Sequence, residues 1–219
     1  MIYSKIFFVT GIGTDVGKTV AAGIISRALE ADYWKPIQAG YDGGTDSERI
    51  RSVVQTSRFF VQPEVYRLQR PASPHIAARE ESVRISIDEI VQAYKRLTPK
   101  STCLVIEGAG GLLVPVNETQ FISDIIVALG AKVILVSRNY LGSINHSLLT
   151  AEVCRQRKLD VAGWVFNDRV DGLADYEDEI VRWSGYPKLA SVPHLPVMNA
   201  QTIDSVAASM RENFLRLVN

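Results

Sequence analysis

Residues 7–19 read FFVTGIGTDVGKT, and this stretch decides the fold. The apolar run at residues 6–10 is rich in β-branched and aromatic residues and stops at a glycine, which is typical of a strand buried on both faces. The segment GKTVAAGIISRALE, residues 17–30, then places apolar residues at helical spacing. A strand that leads through a glycine-rich turn into a helix is the setting that a phosphate-binding loop requires.

The glycines of this loop are displaced from the usual pattern, which has four residues between its first glycine and Gly-Lys-Ser/Thr. Ile12 stands where that first glycine is expected, and Gly11 and Gly13 flank it. Backbone N–H groups at the helix start would still face phosphates, where the helix dipole favours anions. Lys18 would hold the β- and γ-phosphates, and the Thr19 hydroxyl would reach Mg²⁺. The alternative is a tight strand-to-helix turn with a solvated lysine.

The composition is that of an ordinary globular protein. The chain has 219 residues, 47% of them hydrophobic, and 24 basic residues balance 24 acidic ones. This balance gives no net field that favours nucleic acid or a membrane surface. Cys103 and Cys154 lie far apart in no metal-ligand spacing, so we expect buried thiols in a reducing compartment rather than a disulfide. No signal pattern precedes the first strand, so a cytoplasmic location is expected.

Strands alternate with helices along the whole chain, which predicts an α/β fold with a mostly parallel sheet and helices on both faces. No linker or composition shift divides it, so one domain over residues 1–219 is expected. Residues 59–73 are interpreted as an irregular loop, and a strand at LDVAGWVFND is expected to break at Asn167 and Asp168. Ser86 and Glu89 predict a capping box, and a final helix is expected over about residues 200–218.

Polar residues gather where the predicted strands end, the edge at which such sheets bind ligands. Glu107 ends the apolar run CLVI, and the residues GAGG after it predict a turn. A shared Mg²⁺ would compensate the burial of the Glu107 charge. The alternative is an exposed or helix-capping glutamate. Asp46 could equally be a metal ligand or a helix cap. Lys35, before Pro36, could bind an anionic intermediate or lie on the surface.

Six segments together resemble the dethiobiotin synthetases, a family of P-loop proteins. They are VTGIGTDVGKT, YWKPIQAG, ASPHIAA, VIEGAGGLLVPV, NYLGSINHSLLT and AGWVFND, in the family's order from residue 8 to about residue 196. The resemblance implies a P-loop NTPase-like three-layer sandwich. It also implies a homodimeric, Mg²⁺-dependent enzyme of biotin biosynthesis, a cyclo-ligase that closes a ureido ring on 7,8-diaminononanoate with CO₂ and ATP. No nucleic acid or membrane partner is implied.

The resemblance also implies roles for individual residues. Lys18 and Lys35 would be catalytic, with Lys35 stabilising the substrate carbamate, and Thr19, Asp46 and Glu107 would surround the Mg²⁺. The nucleotide would contact Gly13, Thr14, Asp15, Val16, Gly17, Lys18, Thr19, Glu107, Gly108, Gly110, Asn167, Pro193, His194 and Leu195. Within that set, Asn167 would read the base. Besides Lys35, the diamine substrate would contact Ala39, Leu141, Gly142, Ser143, Ile144 and Asn145, the last five binding its carboxylate across a dimer interface.

Two departures from the family separate this chain from its pattern. Family loops often read Thr-Asp-Thr after the first glycine, and Ile12 and Gly13 replace the first two of these. Ala39 stands where the family commonly has a hydroxyl residue.

Two other P-loop classes are alternatives to the synthetase. Corrinoid amidating synthetases usually carry a further glutaminase domain, and partitioning-type ATPase switches carry a signature lysine where this chain has Gly13.

Overall fold

The computed structural model describes residues 2–169 and 174–218, and its centre is a seven-stranded sheet. The strands are β1 (Lys5–Gly11), β2 (Asp32–Trp34), β3 (Ile37–Ala39), β4 (Val61–Gln62), β5 (Tyr66–Leu68), β6 (Cys103–Gly111), β7 (Lys132–Arg138), β8 (Val161–Arg169) and β9 (Lys188–Pro193). The helices are α1 (Lys18–Leu29), α2 (Asp46–Val53), α3 (Pro74–Glu80), α4 (Ile87–Arg96), α5 (Ile122–Leu129), α6 (Ser143–Gln156), α7 (Ala174–Ser184) and α8 (Ala200–Leu215).

The order of strands in the large sheet is β4-β2-β6-β1-β7-β8-β9, and all of its pairings are parallel. Alternate residues of each strand face two separate hydrophobic layers. Phe7 and Val9 of β1 belong to the layer that includes α1, α2 and α8. Ile6 and Phe8 belong to the opposite layer, which includes α3, α4, α5, α6 and α7. The predicted parallel sheet with helices on both faces is therefore confirmed.

The start of the chain folds as its sequence predicts. β1 ends at Gly11 and α1 begins at Lys18, so six residues connect the strand to the helix. β6 lies between β1 and β2 in the sheet, in parallel register with both. This order brings the carboxyl ends of three strands next to the loop that precedes α1.

The prediction that β6 stops in a turn after Glu107 was wrong. The strand continues through Gly111, which pairs with Gly11 of β1. A Cβ on Gly111 would lie 3.1 Å from the Gly11 carbonyl oxygen, so glycine permits the close approach of the two backbones. Glu107 therefore lies within a strand whose neighbours fix its direction.

Other corrections concern short elements. Residues 59–73 are not wholly irregular, because they contain β4 at the sheet edge and β5, which pairs with β3 in a separate two-stranded sheet. β8 does not break at Asn167 and Asp168 but runs on to Arg169. Helices α5 and α7 lie in stretches for which the sequence made no specific prediction, and α8 ends at Leu215 rather than near residue 218.

The capping box predicted for α4 was wrong in one of its two hydrogen bonds. Ser86 Oγ accepts from the Glu89 N–H at 3.3 Å, as expected. The return bond is intercepted by Tyr66, whose hydroxyl accepts from Ser86 N at 2.9 Å and donates to Glu89 Oε2 at 2.5 Å. β5 thus fastens to the start of α4.

Both cysteines are buried free thiols, as expected, and burial raises the pKa of Cys154 to about 12. Within the two described ranges, none of the helices combines the length and the apolar character that a membrane span needs.

Candidate functional site

The loop between β1 and α1 presents an open helix N-terminus. Gly17 is the N-cap of α1 with φ of +88°, a left-handed conformation that glycine adopts without steric cost. No side chain caps this helix, so the first-turn N–H groups of α1 are not taken by a capping residue. Asp15 within the loop also has a positive φ of 56°. Such an uncapped N-terminus is suited to bind anions.

Lys18 folds back across the loop that precedes it. Its Nζ donates to the Gly13 carbonyl oxygen at 2.7 Å, and the residue is buried. Burial lowers the pKa of Lys18 below its ordinary value, the nearby Lys35 lowers it further, and Glu107 acts in the opposite direction. A cation held close to its own loop and poorly solvated is suited to exchange this carbonyl for a phosphate oxygen.

Four polar side chains converge at the start of α1. Thr19 Oγ1 donates to Glu107 Oε1 at 2.9 Å and lies 3.2 Å from Asp46 Oδ1. Lys35 Nζ bridges the same two carboxylates, at 2.6 Å from Asp46 Oδ2 and 2.8 Å from Glu107 Oε1. The structure therefore joins α1, α2, β6 and the residue after β2 in one network.

The surroundings of these residues exclude the surface and capping placements that the sequence left open. Lys35 and Glu107 are buried, so neither is the surface residue that the sequence left open. The N-cap of α2 is Thr45, with a full capping box to Glu48, so Asp46 is not the cap. Asp46 instead occupies the first helical turn, where its carboxylate points to Thr19 and Lys35.

The charged groups in this network shift one another's pKa values. Burial alone would lower the pKa of Lys35, but the carboxylates of Glu107 and Asp46 outweigh it and hold the pKa above its usual value. For Asp46, burial acts to raise the pKa, and the ammonium of Lys35 outweighs it and brings the pKa below its usual value. Both groups are therefore charged at neutral pH, and Lys35 serves as the counter-ion of a carboxylate pair.

Thr19, Asp46 and Glu107 fit a magnesium ion by their chemistry. A hydroxyl and two carboxylates with oxygens near one another are hard ligands, and Mg²⁺ usually takes one or two carboxylates together with water and phosphate oxygens. In the described part of the chain, no group of three or more His, Cys, Asp or Glu side chains could hold a metal ion. A site at Thr19 would thus depend on ligands that a nucleotide brings.

A cavity of about 960 Å³ opens above the network. The predicted site residues that line it are Thr14, Asp15, Gly17, Lys18, Thr19, Lys35, Ala39, Asp46, Glu107 and Gly110. Its outer wall comes from residues 40–44 and 71–74, which flank the small β3–β5 sheet, and from Arg49 of α2. Ala39 presents only a methyl group here, so no hydroxyl at this position reaches the cavity.

A second group of predicted residues lies on the other side of the loop. Asn167 is buried against Gly17, and its Nδ2 donates to the Val16 carbonyl oxygen at 3.4 Å. A Cβ on Gly17 would lie 1.8 Å from that nitrogen. His194 follows β9 and contacts Asp168 of β8, Nδ1 to Oδ1 at 3.2 Å. The other residues of this prediction that are outside the cavity lining are Gly13, Val16, Gly108, Pro193 and Leu195.

The predicted carboxylate-binding segment, residues 141–145, lies outside the cavity at the start of α6. Gly142 is the N-cap with φ of +102°, and no side chain caps the helix. Ser143 Oγ is buried with no hydrogen-bond partner. Leu141 is 91% exposed. Within one chain, this segment and the cavity are thus separate.

Three residues of the site were not singled out from the sequence. Tyr33 donates its hydroxyl to Glu107 Oε2 at 2.8 Å, and burial, followed by the charge of Glu107, raises its pKa well above the usual value. Gln38 accepts from Asp46 N at 3.2 Å and donates to the Gly40 carbonyl at 2.7 Å, which joins β3 to α2. Arg49 lies one helical turn after Asp46, and this spacing could have indicated from the sequence that the two side chains lie on the same face of α2.

Comparison with known proteins agrees with this geometry. The family model described as AAA domain matches residues 5–202. The ATP-dependent dethiobiotin synthetase BioD of Cytophaga hutchinsonii is 41% identical over 212 residues, which covers 96% of this chain and 98% of the relative. The protein of the same name from Rhodopseudomonas palustris is 38% identical over 208 residues, with 94% and 96% covered.

Among solved structures, a ParA family ATPase from Chlorobium tepidum superposes with a TM-score of 0.61. It is 12% identical, and the match covers 99% of this chain and 98% of that one. At this identity the likeness concerns the fold alone, and it confirms the predicted P-loop NTPase-like architecture.

Proposed function

The chain belongs to the family of ATP-dependent dethiobiotin synthetases, and we propose that it carries out their ring closure in the cavity above Lys18, Lys35 and Glu107. It is an ATP-driven ligase of biotin biosynthesis. The observation that carries the proposed site is the meeting of a phosphate-binding loop with a buried lysine and two carboxylates. The substrates would be 7,8-diaminononanoate, CO₂ and ATP.

The reaction requires an oxygen nucleophile to meet phosphorus. One amine of the diamine adds to CO₂ and gives a carbamate, whose oxygen attacks the γ-phosphorus and displaces ADP. The second amine then attacks the carbonyl carbon of the resulting carbamic-phosphoric anhydride, and phosphate leaves as the ring closes. Catalysis of such a transfer is mostly positioning and charge neutralisation.

The loop and Lys18 would bind the triphosphate. The uncapped N-terminus of α1 offers N–H groups and a favourable dipole, and Lys18 Nζ can leave the Gly13 carbonyl for the β- and γ-phosphates. Thr14 and Asp15 line the same side of the cavity. These contacts would hold the γ-phosphate for attack.

Thr19, Asp46 and Glu107 would hold Mg²⁺ beside the phosphates. One carboxylate oxygen each of Asp46 and Glu107 already lies within hydrogen-bond distance of Thr19 Oγ1. A bound magnesium ion would neutralise charge on the triphosphate. Lys35, which contacts the same two carboxylates, is the group best placed to bind the carbamate, because it is buried, charged and on the cavity wall.

The carboxylate of the diamine would bind at the start of α6 in a second copy of the chain. Gly142 leaves the N–H groups of this helix uncapped, and the buried Ser143 hydroxyl is without a partner. Leu141 and Leu149 on the same segment, 91% and 58% exposed, give it an apolar surface that a partner could cover. These features support the homodimer that the family implies.

The nucleotide base would lie beyond the loop, near Asn167 and residues 193–195. Asn167 is fixed against Val16, and His194 against Asp168, at neighbouring strand ends. We further propose that residues 1–219 form one P-loop α/β domain, since a single sheet includes strands from residue 5 to residue 193. The buried free thiols agree with the expected cytoplasmic location.

The direct test supplies diaminononanoate, bicarbonate, Mg²⁺ and ATP, and follows dethiobiotin by mass spectrometry together with ADP. We expect product only when all four are present, and one ADP for each dethiobiotin. The reaction without diamine distinguishes the synthetase from a partitioning-type switch, because a switch hydrolyses ATP without this substrate. ADP release that is equally fast without diamine, with no dethiobiotin formed, would contradict the proposal.

A further inference from the structure

Tyr33 reaches the candidate active site from inside the sheet. It is the middle residue of β2, it is fully buried, and it lies outside the residues that line the cavity. Tyr33 is paired in register with Val105 of β6, and Glu107 lies two residues farther along that strand, on the same face. The tyrosine ring spans this distance, so that its hydroxyl donates to Glu107 Oε2 at 2.8 Å.

The two oxygens of Glu107 have different partners. Oε1 faces the cavity side of the network, where it accepts from Thr19 Oγ1 and Lys35 Nζ. Oε2 accepts from Tyr33, which no ligand in the cavity could displace because the hydroxyl lies behind the carboxylate. The terminal torsion of a glutamate is otherwise soft and roughly two-fold. The tyrosine therefore holds the plane of the carboxylate, with one oxygen bound behind and the other directed to the cavity side.

We propose that Tyr33 is a positioning residue, which fixes the plane of the Glu107 carboxylate so that Oε1 alone is presented to the metal and to Lys35. This inference rests on the proposed function, because it assigns Glu107 to the Mg²⁺ site. Partners that orient a metal-binding carboxylate from behind commonly change metal affinity by about 10- to 100-fold when they are removed. A residue that only filled the core would leave metal affinity unchanged.

The chain offers a matched control at the other end of the same sheet. Tyr3 is also fully buried, and its hydroxyl donates to a buried carboxylate, Asp32 Oδ2, at 2.8 Å. Tyr3→Phe and Tyr33→Phe thus delete the same atom from similar surroundings. Only Tyr33 lies next to the candidate active site.

The experiment measures ADP binding by calorimetry across a range of Mg²⁺ concentrations and again in EDTA, with the melting temperature of each protein recorded without ligand. For Tyr33→Phe we expect the Mg²⁺ concentration that gives half of the metal-dependent gain in affinity to rise about 10- to 100-fold, with binding in EDTA unchanged. For Tyr3→Phe we expect a lower melting temperature and the Mg²⁺ dependence of the parent protein.

Every outcome decides the inference. A Tyr33→Phe protein with the parent's Mg²⁺ dependence would overturn it while the proposed function stands. A parent protein that binds ADP equally well with and without Mg²⁺ would overturn the proposed metal site itself. A Tyr33→Phe protein that does not fold would assign the hydroxyl to stability, and that result also overturns the positioning role.

Discussion

Two buried carboxylates near opposite ends of β2 have different kinds of partner. At the amino end, Asp32 is fully buried and accepts from two backbone N–H groups, Phe60 at 3.0 Å and Lys100 at 2.8 Å, as well as from the Tyr3 hydroxyl. At the carboxyl end, Glu107 of β6 accepts from three side chains, Thr19, Lys35 and Tyr33. The first carboxylate is held by loop backbone, whereas two partners of the second, Thr19 and Lys35, line the cavity and can exchange their hydrogen bonds for a ligand.

This difference predicts that the amino end of β2 serves stability and that the neighbourhood of its carboxyl end serves function. Backbone donors cannot turn away without unfolding a loop, so the Asp32 network contributes to the free energy of unfolding. Thr19 and Lys35 can rotate toward a ligand, and the cavity gives them space to do so. We therefore expect substitutions at the carboxyl end to change catalysis and substitutions at the amino end to change stability.

The largest effect is expected from Lys18→Ala. The γ-phosphate would lose its neutralising charge, and turnover should fall by at least about 100- to 1,000-fold, the cost of removing one preorganised electrostatic contact. The melting temperature should change little, because the Lys18 hydrogen bond goes to the Gly13 carbonyl within its own loop. Steady-state kinetics and thermal unfolding provide the measurements. Near-normal product formation would refute the role of Lys18.

Lys35→Gln should lower turnover by about 100-fold or more, because the carbamate would lose its counter-charge at the transition state. Nucleotide affinity should change much less, since Lys35 bonds to Asp46 and Glu107 rather than to the loop. The variant also leaves these carboxylates without their ammonium, so we expect it to melt lower in EDTA and to recover with Mg²⁺.

The control for this experiment is Lys132→Gln, because Lys132 pairs with Asp160 on an exposed surface away from the cavity. It should leave both turnover and the Mg²⁺ response unchanged. An unchanged turnover rate in Lys35→Gln would show that the lysine serves only as a structural counter-ion.

Asp32→Asn should produce the opposite result, a loss of stability with activity retained. The new NH₂ group would place a donor where a carboxylate oxygen accepts from the surrounding N–H and O–H groups, at a cost of about 1–3 kcal/mol for one buried group left unsatisfied. Urea denaturation would measure this cost, and turnover per folded molecule should equal that of the parent. A loss of activity in the folded variant would contradict the assignment of stability to the amino end of β2 and of function to its carboxyl end.

The sequence predicted the part of the site that depends on local signals. The β1–α1 loop is continuous in the chain, and Glu107 follows an apolar run, so both could be located without knowing the fold. Tyr33 could not, because its contact depends on the register between β2 and β6, whose paired residues are more than seventy positions apart. The same limit hid the β3–β5 sheet, since strands of three residues are too short to show a periodicity.

The smallest effect is expected from Arg49→Ala. Arg49 lines the cavity one turn after Asp46, and its charge contributes to lowering the pKa of Asp46. Because the residue is exposed, its attraction for a triphosphate is screened, and we expect ATP affinity to fall only about two- to fivefold. Arg51→Ala is the matched control, since Arg51 is an exposed arginine of the same helix that does not line the cavity.

The dependence on salt distinguishes a contact from a general change of charge. Both variants remove one positive charge, so a field effect of the whole protein would lower ATP affinity equally in the two. A direct role for Arg49 predicts that the gap between Arg49→Ala and Arg51→Ala is largest at low ionic strength and closes near 1 M salt, where the screening length is about 3 Å. Equal affinities for the two variants at low salt would show that Arg49 does not contact the phosphates. Phosphate recognition would then depend on the loop and on the buried network at the carboxyl end of β2.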